Sequence, residues 1–179
     1  MSFKHPKPGI NFVPAYQISG IPYVTSSAAS EVPGPDSDSV SKPVKVSFPF
    51  VTNFVTVRNT GINELRIGFS ADGVVAPGER RASVDTDKVA VTSTASGSTE
   101  GRNYFLIPTG SLNHYSYAGS IQTFNIRCKE IYFLSNAAEA SDPTAAGKST
   151  SFSLFAGLTT IAGSAMPALT GSNGFDGVG

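Results

Sequence analysis

The sequence predicts an all-β chain, an antiparallel β-sandwich with extended arms at both ends. Three observations predict it. Apolar residues recur with period two, not 3.6. Turn signals separate short Val-, Ile-, Thr-, Phe- and Tyr-rich runs. No window of helical length carries an amphipathic stripe, and Ala137 to Ala140 is long enough for one helical turn at most.

The period is clearest in Leu65-Arg66-Ile67-Gly68-Phe69-Ser70, where Leu65, Ile67 and Phe69 share one face. Further strands are expected at Tyr16 to Val24, Val44 to Phe48, Asn53 to Asn59, Lys88 to Thr92 and Asn103 to Ile107. Ile121 to Cys128, Glu130 to Leu134 and Phe152 to Thr160 follow. The turns between them are Asn59-Thr60-Gly61, Asp72-Gly73, Ala76-Pro77-Gly78 and Pro108-Thr109-Gly110. Between Ile121 and Leu134 the apolar parity changes: Phe124, Ile126 and Cys128 are even-numbered, Ile131 and Phe133 odd. A β-bulge near Lys129-Glu130, or a break into two strands, accounts for this. The run Phe48 to Val57 is apolar on both faces, which predicts burial by the domain's own core on one side and by another sheet or subunit on the other. Pro49 marks an edge or a bend in it. Short strands at these intervals, without crossover helices, imply an antiparallel sandwich or barrel, and a single eight-stranded jelly roll suits 179 residues best. Leu65, Ile67, Phe69, Phe124, Ile126, Phe152 and Leu154 are the expected core.

This divides the chain into three parts. Residues 1–43 form an N-terminal arm with a first strand and a Pro/Ser-rich loop, 44–161 the jelly-roll domain, and 162–179 a Gly-rich tail. Segments rich in Pro, Ser and Gly cannot build a core alone. Phe12, Val13 and Ile21 in the first arm and Phe175 in the tail are not linker residues, so the arms are expected to pack only against something else.

Composition narrows the function. Charged residues make up 15%, against roughly 25% in an average chain. That suggests surface covered by neighbouring subunits. The 13 basic and 13 acidic residues cancel, so nothing argues for an electrostatic grip on nucleic acid. The first nine residues hold no apolar run of the signal-peptide kind, and no stretch approaches the ~20 apolar residues of a membrane span. Cys128 is the single cysteine and has no partner for an intrachain disulfide.

Catalytic groups are scarce. Nucleophilic hydrolysis needs a Ser or Cys beside a His base. His5 lies in a proline-bearing arm, and His114 sits in the loop Ser111 to Tyr117. Two histidines so far apart, with one cysteine, supply no zinc or cupin-type ligand set. The Asp36/Asp38 and Asp85/Asp87 pairs continue into no calcium-loop signature, and the Gly-rich tail is no nucleotide cradle. The expectation is a non-enzyme with no metal or cofactor. Tyr104, Tyr115, Tyr117 and Tyr132 could form an aromatic platform for a glycan, or make amphipathic protein contacts.

Several segments resemble the single jelly-roll penton and minor capsid proteins of large icosahedral double-stranded DNA viruses. They are Asn53 to Gly61, Leu65 to Ser70, Asn103 to Pro108, Ile126 to Phe133 and Phe152 to Ile161. The resemblance covers about Val44 to Ile161 and consists of strand patterns, with no catalytic residue to carry over. It implies a virion protein, assembled inside the host cell, that forms a homo-oligomer, preferably a pentamer. It also implies contacts with the major capsid protein and other minor capsid proteins. The interface candidates are Phe12, Val13, Tyr16, Val55, Val57, Tyr115, Tyr117 and Phe175. Two other classes remain: a carbohydrate-binding jelly roll using Tyr115 or Tyr117, and an enzyme that joins His114 to a carboxylate.

Overall fold

The parity change at Cys128 is a change of sheet. In the computed structural model, β8 (Ile121–Phe124) belongs to one sheet and β9 (Glu130–Ser135) to another, with the chain crossing between them. The structure describes residues 20–27, 32–34, 43–71, 73–75, 80–82, 88–90, 103–109, 121–136 and 149–167, with backbone alone for 80–82 and 88–90. Ala137 to Ala140 lies outside them.

Ten strands are described. The remaining eight are β1 (Ile21–Ser26), β2 (Val44–Ser47), β3 (Phe50–Asn59), β4 (Leu65–Gly68), β5 (Arg80–Ala82), β6 (Lys88–Ala90), β7 (Phe105–Ile107) and β10 (Phe152–Ala162). They form two antiparallel four-stranded sheets, ordered β1-β10-β3-β8 and β2-β9-β4-β7, and a two-stranded ribbon, β5-β6. Pairing is nested: β1 with β10, β2 with β9, β3 with β8, β4 with β7 and β5 with β6. The pairs β10–β3 and β4–β9 then knit these nested pairs into sheets. A three-residue strand such as Arg80–Ala82 has no periodicity to read, and it was not expected from sequence.

The sheets pack face to face. Val55, Val57, Leu154, Ala156 and Leu158 from the first meet Val46, Leu65, Ile67, Ile107, Ile131 and Phe133 from the second in one buried cluster. Phe133 stacks on Phe152 across the layer, with centroids 4.1 Å apart and planes 22° from parallel. Of the expected core, Leu65, Ile67, Phe152 and Leu154 are fully buried, while Phe69, Phe124 and Ile126 pack against the core but stay partly exposed. Phe124→Ala is therefore expected to cost about 2 kcal/mol, below the ~3–5 of a fully buried Phe, as read by the urea midpoint. Val32 is also fully buried and bridges Thr150, so the Pro/Ser-rich loop donates a core residue.

The two apolar faces of Phe48 to Val57 have an internal explanation. Between Gly157 and Leu158 the register of β10 on β3 slips, from Phe54 to Thr52. This bulge leaves Val55 and Val57 in the main core, while Val51 joins a separate small cluster with Ile161 and Met166. The chain's own packing takes up Val51, Val55 and Val57, while Phe54 stays on the outer side.

Thr52, at the bulge, fastens the sheet crossing. Its N–H donates to the Cys128 carbonyl at 3.1 Å, and Cys128 N–H donates back to Thr52 Oγ1 at 2.9 Å. Thr52 Oγ1 donates to the Ile126 carbonyl at 2.7 Å. Cys128 is buried, and burial pushes its thiol up to about 11, with the Thr52 hydroxyl pulling the other way. A raised folded value means that stability is retained below the ordinary value of 9.0 and lost as pH rises towards 11. Wild type should lose stability against Cys128→Ala across that window. The thiol should also resist iodoacetamide until the domain unfolds, and rapid alkylation of folded protein would contradict its placement.

Candidate interaction surface

The outer faces of the two sheets differ, and the difference follows from sequence parity. On the second sheet, the register aligns Lys45 with Tyr132, and Arg66 with Leu134 and Leu106, on the outer side. The turn after β4 folds back over this face. Gly73 N–H donates to Ser70 Oγ at 2.8 Å, and Val74 presses onto Gly68, where a Cβ would lie 2.6 Å from Val74 Cγ1. Val74, Val75 and Leu134 are buried there, with Tyr104 and Tyr132 beside them.

Arg66 is held within this cover. Its Nε donates to Asn136 Oδ1 at 2.8 Å, its Nη1 to the Val74 carbonyl at 3.3 Å, and its guanidinium lies 4.7 Å from the Tyr104 ring centroid. Asn136 Nδ2 in turn donates to Glu64 Oε2 at 2.7 Å. Lys45 Nζ pairs with Glu130 Oε2 at 2.6 Å, which raises the Lys45 pKa. Tyr132 is also raised, chiefly by burial and then by the Glu130 charge. Tyr104 and Tyr132 are thus engaged within the fold and do not form a free platform with each other.

Among the described residues, nothing covers the first sheet in a comparable way. The register places Val24, Phe155, Thr56 and Thr123 in one outward row, with Pro22, Gly157 and Phe54 in the next. Val24 is 74% exposed and Phe155 43%. Phe54 and Phe155 sit 5.6 Å apart, centroid to centroid. At the β8 edge Ile121 is 45% exposed. On the flank where β7 and β8 lie side by side, Phe105 is 50% exposed, and its ring meets Phe124 edge-on at 5.4 Å. Contiguous apolar side chains left in water on a low-charge chain mark a contact surface.

Val55 and Val57, expected at an interface, are wholly buried inside the chain, because the bulge at Asn53 turns them inward. Phe12, Val13, Tyr16, Tyr115, Tyr117 and Phe175 lie outside the described residues, as do His5 and His114. Sequence reasoning missed Val24, Ile121 and Phe155. For Phe155 the signal was present: a large apolar residue between the inward positions Leu154 and Ala156 must face out.

Among the described residues, no group of three or more His, Cys, Asp or Glu side chains comes together. No described helix is long and apolar enough to cross a membrane. No family model, curated protein or solved structure matches this chain.

Proposed function

We propose that the chain is a non-enzymatic virion structural protein, a single jelly roll acting at a five-fold vertex or as a minor capsid protein. The observation that carries the reading is the strand order. One long hairpin, β1 to β4 against β7 to β10, rolled so that its nested pairs alternate between two sheets, is how a jelly roll is built. Folds of this order also serve lectins and cupins, so the assignment to a virion rests on the sequence resemblance and on the surface. The apolar face of the first sheet, which no described residue covers, and the low charge suit a subunit whose surface is covered by neighbours. Its partners are copies of itself, the major capsid protein and other minor capsid proteins, in a capsid assembled inside the host cell.

Closure into a ring follows from heterologous contacts about an axis. Light scattering of purified protein should give a mass that is a multiple of about 93 kDa, five times the 18.6 kDa chain, and mass spectrometry should find the chain in purified virions. Val24→Glu with Phe155→Glu should lower the assembled mass while leaving the melt unchanged. A chain that stays monomeric at high concentration and is missing from virions would overturn the reading, and a glycan-array signal would favour a sugar-binding module.

A further inference from the structure

Sheets end in strands with unpaired backbone donors and acceptors, and proteins guard such edges with proline, charge or short length. The two four-stranded sheets have four edge strands: β1, β8, β2 and β7. β1 contains Pro22, β2 contains Lys45, and β7 is three residues long and followed by Pro108. β8, Ile121-Gln122-Thr123-Phe124, is also short at four residues but holds neither proline nor charge, and no described strand continues the sheet beyond it. Exposed apolar groups gather on the same flank: Ile121 on β8 itself, and Phe105 and Leu106 on β7.

We propose that β8 is a self-pairing edge, through which two copies of this chain join antiparallel about a two-fold axis. Each first sheet then continues into its copy's. The edge requires an extended strand, and the exposed rings require apolar cover. A second β8 supplies the strand and brings its own Phe105–Phe124 pair to the same seam. It also carries no charge to repel its image, on a chain whose net charge is zero. Residues paired across an antiparallel ladder share a face, and a two-fold axis normal to the sheet keeps outer faces together. The axis therefore passes between one residue and its own copy. Centred on Thr123, it sets Thr123 opposite its own copy on the outer side and Gln122 opposite Phe124 on the inner side. This contact rests on the self-assembling reading above but is separate from the ring, and would tie one ring or subunit to the next.

Cysteine cross-linking of the full chain tests it. Cys128 is buried and stays silent. Thr123→Cys should be oxidised to a disulfide dimer about tenfold faster than Ile62→Cys, an exposed control in the turn after β3. Thr123→Lys should abolish the two-fold contact in light scattering with its melting temperature unchanged. Cross-linking no faster at Thr123 than at Ile62, or a Thr123→Lys variant as associated as wild type, overturns the proposal. A five-fold ring without β8 cross-links would reject this contact alone, and a β8 dimer without rings would reject the ring and leave the contact standing.

Discussion

A chain with aspartate at both Val55 and Val57 is expected not to fold. Both valines are fully buried, and the register sets them against Ala156 and Leu154 on one side and Phe124 and Gln122 on the other. No described cation faces them within this apolar cluster, and the Gln122 amide beside Val57 is neutral. An unpaired buried carboxylate costs several kcal/mol even after its pKa rises to neutralise it. Two of them reach the roughly 5–15 kcal/mol that holds a domain together. Circular dichroism and gel filtration should show an unfolded or aggregated chain, whereas Val55→Ala alone should stay folded at reduced stability. A soluble, folded double variant with altered oligomeric state would place these valines on the surface instead.

The second large effect is expected at Asn59. This buried amide closes one end of the sandwich and has a partner at both ends of its side chain. Its Nδ2 donates to the carbonyls of Asn63 at 2.7 Å and Pro108 at 3.1 Å, with the Ile107 carbonyl at 3.4 Å. Its Oδ1 accepts from Gly61 N–H at 3.0 Å and from Thr150 Oγ1 at 3.1 Å. Gly61 is fixed by the same junction, since a Cβ there would collide with Thr150 and the Ser151 backbone. Asn59→Asp keeps the acceptor and turns the donor into an anionic oxygen facing three carbonyls. The expected loss is about 3–5 kcal/mol at pH 7, seen as a fall in the urea midpoint. Such a carboxyl is held protonated above its ordinary range, so its stabilised form is the neutral one. The deficit should shrink as pH falls towards 4 and grow as pH rises. Equal midpoints for variant and wild type at pH 7 would show that the amide's donors carry no weight.

Much of the strand pattern was legible because inward and outward positions alternate wherever one face is buried. β4 and β10 could be read that way, and the break after Cys128 appeared as a parity change. Phe48 to Val57 misled because periodicity cannot distinguish a second partner from a bulge: Val51 and Val55 look alike in sequence, yet the slip at Asn53 sends them to different clusters. Val32 was hidden in a Pro- and Ser-rich stretch whose composition signals a loop. The junction of Asn59 and Thr150 spans 91 positions, and no local pattern records it. The contact surface was partly visible in Phe155, but the open β8 edge depends on which strand ends a sheet. That is a property of pairing, not of composition.

Nested pairing also determines how the chain must find its fold. The β5–β6 ribbon joins residues close in sequence, but every pair outside it closes a longer loop, up to β1–β10, where Ile21 meets Leu158. Loop closure must be met before each outer pair contributes its hydrogen bonds and burial. Folding is thus expected to run from the ribbon outward, with the edge strand β1 docking last. A chain emerging from the ribosome holds one arm of the hairpin long before the other exists. Until β10 is made, β1 has no strand to pair with and β3 is held on one side only, by β8, which makes the final third of synthesis the interval most exposed to aggregation.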